Sequence, residues 1–231
     1  MPAQYQYARV EKAKSLLTDF LKNTTESKTV KEPHASLDAY HSDLAVACDN
    51  SELHQAISLL TACLTYPHHL GEGKLQGAQD NDFYYLLGCA YHLRGAEAKA
   101  RECWRLGTQG PTEPVVAMYY NDAKPDKIFY AALCYRRLGM EDKARSLFYK
   151  LINYGEKHLF DEVKMDYFAV SLPDLQIWDG DLNEKNRIHC FFMLALGYIG
   201  LSDTKRAQHY MGEVVKLDVN HQGVQALRTL I

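Results

Sequence analysis

A spaced set of six residues occurs three times in this chain, and no other feature limits the possible folds so tightly. Tyr84, Leu87, Gly88, Tyr91, Ala100 and Trp104 form the first set, and the same spacing recurs 44 residues on at Ile128, Ala131, Ala132, Tyr135, Ala144 and Phe148. A further 63 residues on it recurs at Phe191, Leu194, Ala195, Tyr198, Ala207 and Met211. The first four members follow the i, i+3, i+4, i+7 period of one helix face, and Leu138-Gly139 marks a turn before a second helix, so each set predicts a helical hairpin. Small residues at 88, 132 and 195 and at 100, 144 and 207 let the two helices approach closely. A bulky side chain there is expected to cost about 1 to 3 kcal/mol by overpacking. Tyr91, Tyr135 and Tyr198 are expected to fill the space between neighbouring hairpins, which accounts for part of the count of 16 Tyr.

This grid resembles the signature of the tetratricopeptide repeat family, W-x2-L-G-x2-Y followed by A-x3-F. After the third set comes LDVNH at 217–221, similar to the LDPNH of many such repeats. The resemblance implies an all-α fold: a single solenoid of tetratricopeptide-type helical hairpins over 1–231, about four hairpins with a leading half-repeat. The half-repeat is placed at 4–24, where Ala8, Val10, Ala13, Leu16, Leu17, Phe20 and Leu21 share one helical stripe. A degenerate repeat at 36–69 rests on Tyr40, Ala56, Leu60 and Pro67. The three full repeats occupy 81–112, 125–156 and 188–219, a long insert occupies 157–187 before the last of them, and a capping helix closes 221–231. Asn220 is expected to cap that helix, whose stripe is Val224, Leu227 and Ile231.

Composition narrows the classes of function. With 26 Lys plus Arg against 29 Asp plus Glu, the net charge of −3 offers no overall basic field for nucleic acid or anionic lipid. The longest nearly unbroken apolar run, 190–201, is shorter than the roughly 20 residues a membrane helix needs. The N-terminus has no apolar segment of the kind that directs secretion. Six cysteines at 48, 63, 89, 103, 134 and 190 form no C-x-x-C pair and are expected to be buried, free thiols, which suits a reducing cytoplasm.

Three segments resemble something narrower: LGEGKLQGAQDND at 70–82, AMYYNDAKPDKIFY at 117–130 and INYGEKHLFDEVKMDYFAVSLPDL at 152–175. Over roughly residues 60–223 they are similar to the C-terminal repeat region of large bacterial proteins whose N-terminal portion is a β-rich domain of unknown function. This chain lacks that portion, so it is expected to be an excised fragment or a free-standing short relative, and no upstream activity is carried over.

Candidate chemistry is sparse. Lys74 lies among Gly71, Gly73 and Gly77 but is followed by Leu75, not by Ser or Thr, so a phosphate loop is rejected in favour of a connection capped by Asp80 or Asn81. His68, His69, His158 and Asp161 provide too few converging donors for a transition metal, and no metal or cofactor is expected. Asp166, Asp174, Asp179 and Asp181 offer carboxylate pairs of the kind glycoside hydrolysis uses, but nothing fixes their separation, and Asp181 is well placed as a helix N-cap. No catalytic residue is assigned.

The alternative to catalysis is recognition. By the repeat resemblance, Asp82, Tyr85, Cys89 and His92, then Asp126, Phe129, Leu133 and Arg136, then His189, Phe192, Leu196 and Ile199 line one groove. Phe129, Leu133, Phe192 and Leu196 are expected to be covered by the chain's own insert, in which Phe160, Tyr167, Phe168 and Trp178 are too apolar to stay wet. The expected recognition patch is Tyr85, His92, Tyr119, Tyr120, Asn121, Asp122, Phe129 and Arg136. The expected activity is a non-catalytic scaffold that binds a protein or peptide, including an upstream domain of the same polypeptide, with a homodimer through the N-terminal edge as a further use. The rival expectation is an accessory C-terminal region of a larger bacterial carbohydrate-acting enzyme.

Overall fold

The computed structural model describes residues 11–16, 50–66, 74, 78–116, 124–163 and 181–227. These residues are helical with connections and contain no strand. Residues 11–16 are helical, with Ala13 buried. Eight helices follow: α1 (Asn50–Cys63), α2 (Asn81–Leu93), α3 (Glu97–Gly107), α4 (Pro125–Arg137), α5 (Glu141–His158), α6 (Leu182–Gly200), α7 (Thr204–Leu217) and α8 (Gln222–Leu227). They divide into two compact units, one of Met1–Gly110 with Leu133–Glu141, the other of Pro111–Ala132 with Asp142–Ile231.

The three turns α2–α3, α4–α5 and α6–α7 share one hydrogen-bond pattern at the intervals of the sequence grid. Ala96, Met140 and Asp203 each donate a backbone N–H to the carbonyl of Tyr91, Tyr135 or Tyr198 at 2.9 Å. One residue earlier, Gly95, Gly139 and Ser202 donate to His92, Arg136 and Ile199. Such a pair closes a helix whose last residue turns left-handed, and φ is +76° at Gly95, +78° at Gly139 and +61° at Ser202. The second helix then starts at a fixed distance, which buries Ala100, Ala144 and Ala207 completely.

In the first unit α2 packs on α3 and α1 packs on α2. A Cβ at Gly88 would land inside the Trp104 indole, so the absent side chain is what lets Trp104 sit 2% exposed. The indole N–H donates to the Tyr85 carbonyl at 3.3 Å, and the Arg137 guanidinium stands over the ring at 5.6 Å. Asn81, expected as a cap for its own helix, turns instead to the end of α3 and donates to the carbonyls of Gly107 and Gln109 at 2.9 and 2.7 Å. Asp80 makes no side-chain cap either; it pairs with Lys74, which also donates to the Leu64 carbonyl at 2.9 Å and so fastens the connection between α1 and α2.

In the second unit α4 meets α5 through Phe129 and Phe148, with ring centroids 5.9 Å apart. The α5–α6 contact depends on glycines outside the grid. A Cβ at Gly155 would lie 2.7 Å from Leu194 Cγ and 2.9 Å from the Cys190 carbonyl, one at Gly197 would lie 2.9 Å from the Phe148 carbonyl, and one at Gly200 would enter the Phe148 ring. Asn186 closes this contact from the other end, donating to the His158 carbonyl at the last residue of α5 at 2.8 Å.

Several boundaries shift from the sequence reading. Asp181 does cap α6, accepting from the Asn183 N–H at 2.9 Å, but α6 therefore begins at Leu182, inside the expected insert 157–187. Asn220 is not the cap of α8: His221 Nδ1 accepts the Val224 N–H at 3.2 Å. Phe160, expected to be buried as part of an insert folded over the groove, is 87% exposed. Residues 164–180, 36–49 and 228–231, and the parts of the half-repeat outside 11–16, lie outside the described residues.

Candidate interaction surface

The expected patch does not emerge as a free surface. Tyr85 and Phe129 are core residues, 4% and 1% exposed, because the face that carries them is consumed by packing within the chain. Leu133, Phe192 and Leu196 are buried in the same way. Tyr119, Tyr120, Asn121 and Asp122 lie outside the described residues.

His92 and Arg136 occupy equivalent positions and do equivalent work. His92 Nδ1 lies 2.7 Å from Glu97 Oε2, across the turn to the first residue of α3. Arg136 donates through Nε and Nη2 to both Glu141 oxygens at 3.1 and 3.2 Å, across the turn to the first residue of α5. Each pair ties the end of one helix to the start of the next. The third hairpin has Ile199 and Thr204 at these positions and no such pair. A second recurrence joins the grid tyrosines to the following helix: Lys99 stands 5.5 Å over the Tyr91 ring and Arg206 stands 5.0 Å over Tyr198. Tyr198 also stacks on Tyr210 at 5.7 Å and donates its hydroxyl to Glu156 of α5 at 3.3 Å, so it spans two hairpins as expected.

The second unit contains a feature that the sequence did not announce. Residues 111–116 run as a strap along α5 and α6: Glu113 pairs with Lys150, and the Val115 carbonyl meets His189 Nε2 at 2.9 Å. The Tyr154 ring stands 6.4 Å from His189 and 4.3 Å from His158, whose Nδ1 is 2.5 Å from Asp161 Oδ2. Burial, with Cys190 and Asp161 nearby, pushes the Tyr154 phenol up to about 12. Val115 and Val116 of the strap, and Phe160 after the end of α5, are exposed apolar residues. A tripeptide such as Glu113-Pro114-Val115 carries no periodic signal, which is why only contact geometry reveals the strap.

The described cysteines are shielded from solvent. Cys63, Cys89, Cys103, Cys134 and Cys190 are buried and in no disulfide; Cys48 lies outside the described residues. Burial drives the Cys89, Cys103, Cys134 and Cys190 thiols up, Cys103 to about 11 and Cys190 to about 12, so at neutral pH these two stay protonated. Among the described residues no group of three or more His, Cys, Asp or Glu is arranged to hold a metal, and no helix is long and apolar enough to cross a membrane. Compared with known proteins, the chain matches no family model and no solved structure.

Proposed function

We propose that this chain is a non-catalytic interaction module of tetratricopeptide type, a cytoplasmic helical repeat that holds a protein or peptide partner on its hairpin surface. The observation that carries this reading is the threefold turn, repeated with the same bonds at the intervals of the grid. It supports a hairpin repeated three times with one turn geometry. Asp181 caps α6, and Asp166, Asp174 and Asp179, on which the rival reading of an accessory region of a carbohydrate-acting enzyme also rests, lie outside the described residues.

Recognition in this reading moves from the buried aromatics to the strap. Val115 and Val116 present exposed apolar side chains, Tyr119, Tyr120, Asn121 and Asp122 follow after Ala117 and Met118 in sequence, and Phe160 lies two residues beyond His158. Such a surface suits a partner that inserts apolar or aromatic side chains and contacts a polar rim. A photo-crosslinking residue placed at 116 or 160 is expected to trap a partner, and Val115→Asp with Phe160→Ser to abolish the trapping while helicity is kept. His92→Ala with Arg136→Ala, which removes turn staples, is expected to lower stability slightly and leave trapping intact. If the strap variant traps as well as the parent, the strap is not the surface. Pairing of two chains through the N-terminal edge belongs to the same proposal, and sedimentation at several concentrations tests it: a strict monomer removes it.

A further inference from the structure

The start of the short helix α8 is capped by a contact that depends on a single lone pair. His221 is its N-cap, and Nδ1 accepts the Val224 N–H at 3.2 Å. The same imidazole lies against the Phe192 ring of α6, centroids 4.6 Å apart, and a Cβ at Gly223 would enter that ring, so α8 sits directly on it. Val224 and Leu227 are buried beneath the helix. We propose that α8 is an acid-released latch: protonation of His221 frees the helix and uncovers the Phe192 face of α6. An imidazolium carries hydrogen on both ring nitrogens, so it has no lone pair left for Val224, and it places a charge in a half-buried position.

The groups facing His221 set the pH at which this happens. Burial disfavours the charged ring, whereas Asp218 at the end of α7 and Asp126 on α4 favour it, as does a backbone hydrogen bond of His221 itself; α6 contributes the Phe192 ring. Burial is the largest influence, and the imidazole lies below its ordinary value of about 6.5. For a histidine lowered in the folded state, the stabilisation is complete above the ordinary value and is lost as pH falls through the folded one. The described part of α8 is six residues long, and the burial of Val224 and Leu227 holds it beside the His221 cap. The latch is a property of the fold and holds whatever the chain binds.

Amide hydrogen exchange of the full chain at pH 7.5 and pH 5.0, corrected for intrinsic rates, tests the latch. Protection over 223–227 is expected to fall severalfold at the lower pH while α6 and α7 stay unchanged. His221→Asn keeps a capping oxygen that does not titrate, and is expected to give equal protection of α8 at both pH values. Asp126→Asn removes an acid that favours the imidazolium, so its release is expected at a lower pH than in the parent. Equal protection of α8 at both pH values in the parent overturns the latch, and so does an undiminished pH dependence in His221→Asn. If His221→Asn does not fold, the parent and Asp126→Asn decide by the same criteria.

Discussion

Ser202 is the one described residue other than glycine with a left-handed backbone, at a position where the other two hairpins have Gly95 and Gly139. An L side chain there costs about 1 to 2 kcal/mol, part of which is recovered because serine loses less chain entropy than glycine on folding. Ser202→Gly is therefore expected to stabilise the chain by about 0.5 to 1 kcal/mol, read as a higher urea midpoint at constant slope. Gly139→Ala reverses the change; no atom crowds the new methyl, so its expected cost of about 1 kcal/mol is conformational. The neighbouring position offers a second test. Asp203 caps α7 by accepting the Arg206 N–H at 3.1 Å, whereas Ala96, with nearly the same backbone angles, caps α3 with nothing. Ala96→Asp is expected to add about 1 kcal/mol, and thermal unfolding of the single variant checks it. Gly139 was legible as a turn because glycine advertises the left-handed region. Ser202 was not, since nothing in a serine's identity announces its φ.

At the scale of helices, the sequence reveals what happens inside a hairpin and conceals what happens between hairpins. The grid alanines are buried as the period requires, because short connections fix the register of two consecutive helices. Gly155, Gly197 and Gly200 fall off the grid because the α5–α6 crossing depends on how the chain returns after a long connection, which no local period encodes. His221 replaced Asn220 as a cap for a related reason: both residues suit the turn, and the packing of Phe192 chooses between them. Gly200→Ala pushes a methyl into the Phe148 ring and is expected to cost about 1 to 3 kcal/mol. If the ring is the cause, the same change made on a Phe148→Leu background costs less, and a double-mutant cycle measures the difference. Buried thiols add an alkaline limit. Cys103 and Cys190 titrate at about 11 and 12 when folded and near 8.5 when unfolded, so between those values the native chain binds more protons. Stability is expected to be level up to about pH 8.5 and to fall as pH rises towards 11, and Cys190→Ala is expected to make that fall shallower in melting scans.

Over the whole molecule, burial decided what the sequence left ambiguous. Tyr85 and Phe129 carry the same residue types whether they face a partner or the chain's own helices, and only the packed structure assigns them to the core. In a helical repeat, damage is expected to stay local, because each hairpin is stabilised chiefly by its neighbours. Trp104→Ala is expected to cost about 3 to 5 kcal/mol and to strip exchange protection from α2 and α3 while α6 and α7 keep theirs; uniform loss would show a single cooperative block. The equality of the three turns has a consequence for how such a chain tolerates changes in length. From the left-handed residue to the buried alanine the count is the same in all three hairpins, Gly95 to Ala100, Gly139 to Ala144 and Ser202 to Ala207. One extra residue within that interval would rotate the second helix by about 100°, turning its alanine out of phase and a polar neighbour inward. The same residue added between hairpins would cost only a small increment of loop entropy. The hairpin is thus a fixed unit of angular phase, and the unequal offsets of 44 and 63 arise wholly between hairpins, where phase carries no meaning.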